Sequence, residues 1–235
     1  MKYVLKIGGS ILTDKEQENT LSPQFSEVLE KLHGHGDGVL IHGAGSFGHP
    51  QAERHGLKTG SRKRALEVHR AVKKLNSKIV RELEKLGLEP VPVHPSSLAY
   101  RNPETELHLD KIQKLSKERF LPVLHGDIVA HRHKGFTVLS GDEILAELEK
   151  KYRTGRTGFC SSEKGVLNQE AEVITEINSL QDFHDRGMKM KDVTGGMKGK
   201  VKELLDKEVS ARIFGKRRLE NFLEGGEPGT LVRPK

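Results

Sequence analysis

The chain has no tryptophan, a single cysteine and an aromatic share of only 5%. The lone Cys160 rules out an internal disulfide and any cysteine-based zinc site, and an unpaired thiol suits a reducing compartment. Rings are too few for the base-stacking platform that single-strand nucleic-acid binders build. No apolar run reaches the roughly 18 residues that a membrane helix needs. The opening MKYVLKIGGS also lacks the long apolar core and cleavage pattern of a signal peptide. A soluble, cytoplasmic protein with no membrane partner and no nucleic-acid partner is therefore expected.

What is present is charge and glycine. Lysine and arginine outnumber aspartate and glutamate by 40 to 33, for a formal net charge of +7. With so few aromatic residues beside it, that excess reads as a basic surface for anionic small molecules. The 235 residues suffice for one large domain or two lobes around a real core. Short apolar runs alternate with helical patterns along the whole length. Strands are expected within Tyr3–Ser10 ahead of its glycines and at Val39–His42, Pro90–His94, Phe120–His125, Gly158–Ser161, Glu172–Ile177, Ala211–Phe214 and Thr230–Val232. Between them lie helices over Pro23–Leu32, around Ala65–Leu86, after Ser140, from Ser179, after Lys200 and at Arg218–Leu223. Ile128–Arg132 and Gly135–Leu139 read as a hairpin. Arg101–Ser116 has no decisive pattern. The alternation predicts an α/β fold, a mainly parallel sheet covered on both faces.

Chemistry concentrates where strands meet glycine. Tyr3–Ser10 (YVLKIGGS) and Val39–Pro50 (VLIHGAGSFGHP) each set an apolar run directly before a glycine turn. This is how a parallel sheet opens an anion site at the carboxyl ends of its strands, because backbone N–H groups approach phosphate oxygens with no Cβ in the way. Lys6 lies inside the first strand, where an ammonium is costly unless it reaches an anion or points outward. Lys15 follows five residues after Ser10 and is either a surface lysine or a group that swings over the same site. Gly43, Gly45 and Gly48 fit G-x-G-x-x-G, but no acidic residue follows at the distance a dinucleotide site requires, and the Walker spacing is missing. His49 closes that turn, where an imidazole can donate to a phosphate oxygen. Ser140-Gly-Asp-Glu143 is a capping-box pattern, placing Gly141 and Asp142 at a positive helix terminus. Lys198 and Lys200 follow Gly195-Gly196 at a helix start, so ammonium, amides and dipole can converge on a transferred phosphoryl group. Asp142 either orients these lysines or only caps its helix.

Together KIGGS at 6–10, Lys15, HGAGSFGHP at 42–50, Lys-Leu-Asn at 74–76, Pro-Val-Leu-His-Gly-Asp at 122–127, Ser-Gly-Asp at 140–142 and Asp-Val-Thr-Gly-Gly-Met-x-x-Lys at 192–200 resemble the amino-acid kinase superfamily. Within it the histidine ending GAGSFGH marks the branch of isopentenyl phosphate and fosfomycin kinases, and the chain is similar to the isopentenyl phosphate kinases. The resemblance implies a three-layer αβα sandwich forming a single kinase domain on one continuous sheet. Residues 1–142 would be the acceptor-phosphate lobe and residues 143–235 the nucleotide lobe. It implies transfer of the γ-phosphoryl of ATP to isopentenyl phosphate, giving the isopentenyl diphosphate used in isoprenoid synthesis by an alternative mevalonate route. By matching position His49 would bind the acceptor phosphate, with Ala44, Gly48 and Gly141 beside it. Lys6, Gly8, Gly9, Ser10, Gly45, Gly196 and Lys200 would contact ATP, Lys15 would stabilise the transition state, and Asp142 would orient the lysines. Mg²⁺ would be held mainly by the nucleotide's phosphates, with no protein metal ligand, and the protein would be a homodimer. Other acceptors of the superfamily, a phosphonate such as fosfomycin, an amino acid or a nucleotide, are alternatives, as is a silent nucleotide or RNA binder. One departure stands out. Ser161–Leu167 reads SSEKGVL where relatives have an acidic T-D-V-D-G-V-Y, with Ser162 and Lys164 in place of two aspartates.

Overall fold

The computed structural model of the protein describes residues 1–48, 62–102, 104–182 and 196–235. Strand β1 (Val4–Ile7) leads through a glycine turn into a one-turn helix α1 (Gly9–Leu12), and α2 (Phe25–Glu30) returns the chain to β2 (Val39–His42). A 3₁₀ turn at Gly45–Phe47 follows, then the long helix α3 (Arg62–Lys85) and β3 (Pro90–Pro92). Next come β4 (Ala99–Asn102), β5 (Glu104–Leu107), α4 (Asp110–Lys117), β6 (Leu121–His125), β7 (Asp127–His131) and β8 (Gly135–Leu139). The second half holds α5 (Gly141–Tyr152), β9 (Thr157–Ser161), β10 (Glu176–Ile177), α6 (Gly196–Asp206), β11 (Ala211–Gly215), α7 (Leu219–Leu223) and β12 (Thr230–Val232).

Eight strands form the central sheet in the order β10-β12-β11-β9-β1-β2-β6-β3, every pair parallel except β11 with β12. The sheet therefore draws strands from both halves of the chain, and β1 pairs with β2 on one edge and β9 on the other. Side-chain alternation assigns the two faces. Leu5, Ile7, Leu40, Leu121 and Val123 pack under α2, α3 and α7 through Leu29, Leu75, Ile79 and Phe222. Val4, Val39, Ile41, Leu124 and Phe159 pack under α4, α5 and α6 through Ile112, Ile144, Leu145, Val201 and Leu204. Lys6 shares the second face, in register between Ile41 and Phe159. That helix-covered, nearly all-parallel sheet is the expected α/β architecture.

The capping box at α5 forms in full: Glu143 N–H donates to Ser140 Oγ at 3.1 Å, and Ser140 N–H donates to Glu143 Oε2 at 3.0 Å. Other expectations need correction. A separate four-stranded sheet, β5-β4-β7-β8, stands beside the main one, and β5 with the end of β4 comes from the Arg101–Ser116 stretch, which has no decisive pattern. Its β4–β5 strands, AYRN and ETEL, carry mostly polar side chains and so lack an apolar alternation to read. The strand expected over Glu172–Ile177 shrinks to Glu176–Ile177, because Val173 bridges back to Leu167 instead. Helix α6 begins at Gly196, four residues before the expected end of the preceding loop. After Ser179, the carboxylate of Asp182 accepts from the N–H groups of Asn178 and Ser179; the body of the helix expected there lies outside the described residues. So do His49 and Pro50 of the second glycine turn and residues 192–195 of the late glycine loop. Among the described residues no helix is long and apolar enough to cross a membrane.

Candidate active site

The two early glycine turns interlock. Gly8 N–H donates to Cys160 O of β9 at 2.8 Å, and Gly43 N–H donates to Ile7 O of β1 at 2.9 Å, so each turn is pinned to the strand beside it. Between them the backbones touch: a Cβ on Gly9 would lie 2.2 Å from Gly45 N and 2.6 Å from Gly45 Cα. Gly45 itself has φ +50°, a left-handed conformation that glycine adopts without steric cost. Thr13, which the sequence did not single out, ties the turns together. Its Oγ1 donates to Gly9 O at 2.9 Å and accepts from Ser46 N–H at 2.9 Å. The N–H groups of Gly9, Ser10, Ala44 and Gly45 have no backbone acceptor among the described residues, since they open short helical turns. The arrangement is a ready anion cradle.

The close approach makes a sharp expectation. Gly9→Ala should destabilise the fold by about 1–3 kcal/mol, because the obstructing atoms are backbone and cannot rotate away. Urea denaturation measures this, and a loss below 0.5 kcal/mol, roughly the scatter of neutral surface substitutions, would contradict the interlocked geometry.

Lys6 points from the sheet toward the start of α5, where its Nζ donates to Asp142 Oδ1. Lys200, from the second turn of α6, places its Nζ 4.0 Å from Asp142 Oδ2. Two ammonium groups thus flank one carboxylate at the carboxyl ends of the strands. Burial pushes the Lys200 ammonium below the usual lysine range and the neighbouring Lys6 adds to this, while Asp142 opposes it. Gly141 lets the two elements meet: a Cβ there would lie 3.1 Å from Lys6 Cε. Lys198 is exposed, about 200° around the helix from Lys200, so the two cannot act together. Lys15 is also exposed, in the 14–20 loop. That loop is clasped to the second glycine turn, with Asn19 N–H donating to Ser46 O and Ser46 Oγ donating to Thr20 O. The lysine is carried beside the cradle and makes no ion pair among the described residues. Of the remaining sequence-predicted residues, Gly8, Ser10, Ala44 and Gly48 lie in these turns, Gly141 starts α5 against Lys6, Gly196 starts α6, and His49 lies outside the described residues. The departing segment at 161–167 folds back on itself through Ser161, whose Oγ donates to Glu163 O and accepts from Glu163 N–H.

Behind the cradle lies a polar cluster that the sequence reading missed. Strands β2 and β6 both end in His-Gly, and His42 and His125 are completely buried. Asn76 of α3 donates to His42 Nε2 at 3.1 Å and to Val123 O at 3.3 Å. His94 Nδ1 lies 2.9 Å from His125 Nε2, and His69 Nδ1 lies 2.6 Å from the buried Asp127 carboxylate. Desolvation pushes His42 down to about 3 and His125 down to about 4, so both are neutral near pH 7. The repeated His-Gly at two strand ends was the available signal.

Comparison with known proteins supports the same picture. Residues 1–212 match the pattern of the Amino acid kinase family. The isopentenyl phosphate kinase of Haloferax volcanii is 37% identical, with 98% of each chain covered. That of Methanocaldococcus jannaschii is 27% identical over 99% of this chain and 98% of its own. A solved isopentenyl phosphate kinase structure superposes with a TM-score of 0.82 at 26% identity, covering 98% of this chain and 99% of its own. Paired with an anion cradle and two lysines converging on one carboxylate, a likeness that runs from the first strand through the last lysine helix leaves one conclusion: this chain belongs to the amino acid kinase family.

Proposed function

We propose that the protein transfers the γ-phosphoryl group of ATP to isopentenyl phosphate, giving ADP and isopentenyl diphosphate. The observation that carries this is the convergence of Lys6, Asp142 and Lys200 on the open end of two interlocked glycine turns. The end-to-end likeness to isopentenyl phosphate kinases supplies the acceptor class.

In this reading an oxygen of the acceptor phosphate attacks the γ-phosphorus as the bond to the β–γ bridging oxygen breaks, and ADP leaves with that electron pair. The N–H groups of Gly9, Ser10 and Gly45, together with Gly8 and Gly196, hold the nucleotide phosphates. Lys6 and Lys200 neutralise the charge that develops on the transferred group. Asp142 keeps the two ammonium groups from repelling each other apart. Ala44, Gly48, Gly141 and His49 receive the acceptor phosphate, and Lys15 closes over the transferred group from its loop. Residues 1–142 form the acceptor-phosphate lobe, whose glycine turns also reach the nucleotide phosphates, and residues 143–235 form the nucleotide lobe, the dividing line falling at the start of α5. Both oxygens of Asp142 face ammonium groups. Mg²⁺ would be held mainly by the nucleotide's own phosphates, as the family resemblance implies, and would neutralise charge on them during transfer. Cytoplasmic location and a homodimer belong to the same proposal.

Incubation of the pure protein with Mg-ATP and isopentenyl phosphate should produce stoichiometric ADP and isopentenyl diphosphate, read by ³¹P NMR. A folded, ATP-binding protein that gives neither product would overturn the assignment, and a panel with a phosphonate, amino acids and nucleotides would then name the acceptor.

A further inference from the structure

The buried histidines at the strand ends do more than fill the core. A backbone carbonyl can only accept, so the 3.1 Å contact between His42 Nδ1 and Gly43 O requires the proton on Nδ1. His42 Nε2 is then a lone pair, which suits the Asn76 amide N–H group that donates to it. Val123 O fixes that amide the right way round, since it too can only accept. The same device recurs at the next turn, where His125 Nδ1 donates to Gly126 O at 2.9 Å and His125 Nε2 accepts from His94. Two strand-end histidines, each donating to the carbonyl of the glycine that follows, are held in one tautomer by an outside donor.

The consequence at β2 is directional. A trans peptide points its C=O and N–H in opposite directions. His42 lies on the sheet face covered by α3, as its bond to Asn76 shows, and draws the Gly43 carbonyl to that side. The Ala44 N–H of the same peptide is thereby turned to the other side, where Lys6 meets Asp142. We propose that His42, set in its Nδ1–H tautomer by Asn76, is a positioning residue for phosphoryl transfer: it aims the Ala44 N–H at the phosphate. This rests on the phosphate-transfer reading of the site, and burial, which keeps the ring neutral, supports it. A proton on Nε2 would face the Asn76 N–H group and break the arrangement.

Two measurements test the proposal. Long-range ¹H–¹⁵N spectra of histidine-labelled protein at pH 7.5, assigned through loss of one signal in His42→Asn, should show a protonated Nδ1 and a bare Nε2 for His42. The Nε2–H tautomer, which free imidazole favours in water, would overturn the proposal whatever the substrate proves to be. Asparagine places a donor near the Nδ1 position, whereas glutamine reaches only the Nε2 position. His42→Asn should therefore keep kcat within about threefold of wild type while His42→Gln lowers it about tenfold or more, with KM for ATP little changed in either. Equal losses, or glutamine outperforming asparagine, would reduce His42 to a packing role. If wild type turns over no acceptor, the functional reading fails and the tautomer alone decides this one.

Discussion

Replacing Lys6 with methionine is expected to lower kcat by about 10²–10³-fold, corresponding to roughly 3–4 kcal/mol of lost transition-state stabilisation. The reason lies in position rather than charge count. Lys6 is 9% exposed, sits in an otherwise apolar row between Ile41 and Phe159, and delivers its ammonium to the open end of the strands. In such low-dielectric surroundings a fixed cation acts far more strongly on developing negative charge than a solvated one. Methionine fills the same channel, so packing survives. Asp142 is not orphaned either, because Lys200 remains 4.0 Å away. The melting temperature should stay within a few degrees of wild type while turnover collapses. A kcat within threefold of wild type, in a variant that melts normally, would remove Lys6 from the chemistry.

The second large effect is on stability in acid. His42 and His125 have folded-state values of about 3 and about 4, against 6.5 for an unperturbed histidine. Above pH 6.5 the ring is neutral in both folded and unfolded chains, and the depressed values make no difference. As pH falls below 6.5 the unfolded chain takes up protons that the folded protein refuses, so stability is lost with each unit of acidification. At pH 5 the deficit is about 2 kcal/mol from each histidine, about 4 kcal/mol together. For a chain of this size that is a fall in Tm of roughly 10 °C between pH 7.5 and pH 5. The groups facing these rings do not reverse the sign. Lys6 and His94 oppose a charge on His42, and for His125 the help of Asp127 is outweighed by burial. Calorimetry across that range checks it, and His125→Gln should roughly halve the slope. A Tm independent of pH from 7.5 to 5 would mean that the rings are hydrated.

Much of this molecule was legible before any coordinates. The first strand, within Tyr3–Ser10, and Val39–His42 are short, apolar and stopped by glycine, a purely local pattern; β1 forms inside that segment and β2 with the predicted bounds. The α3 helix announces itself through apolar residues at spacings of three and four, and α5 through the reciprocal Ser140–Glu143 cap. Lys6 stood out because an ammonium inside an apolar strand needs a reason. The β4–β5 hairpin was not legible, because its polar strands owe their shape to pairing with a neighbour rather than to their own sequence.

Local chemistry thus settled the elements, the glycine turns and which faces are apolar, since propensity and periodicity act over a few residues. Which lysine reaches Asp142 was a question for the assembled chain. Lys198 and Lys200 are equivalent in sequence and separated in space by a helical half-turn, while Lys6 and Asp142 come together across 136 positions. The proton on His42 was likewise decided by Asn76, 34 residues away. Such contacts depend on the summed packing of the whole sheet against its helices, and no short stretch of sequence contains that sum.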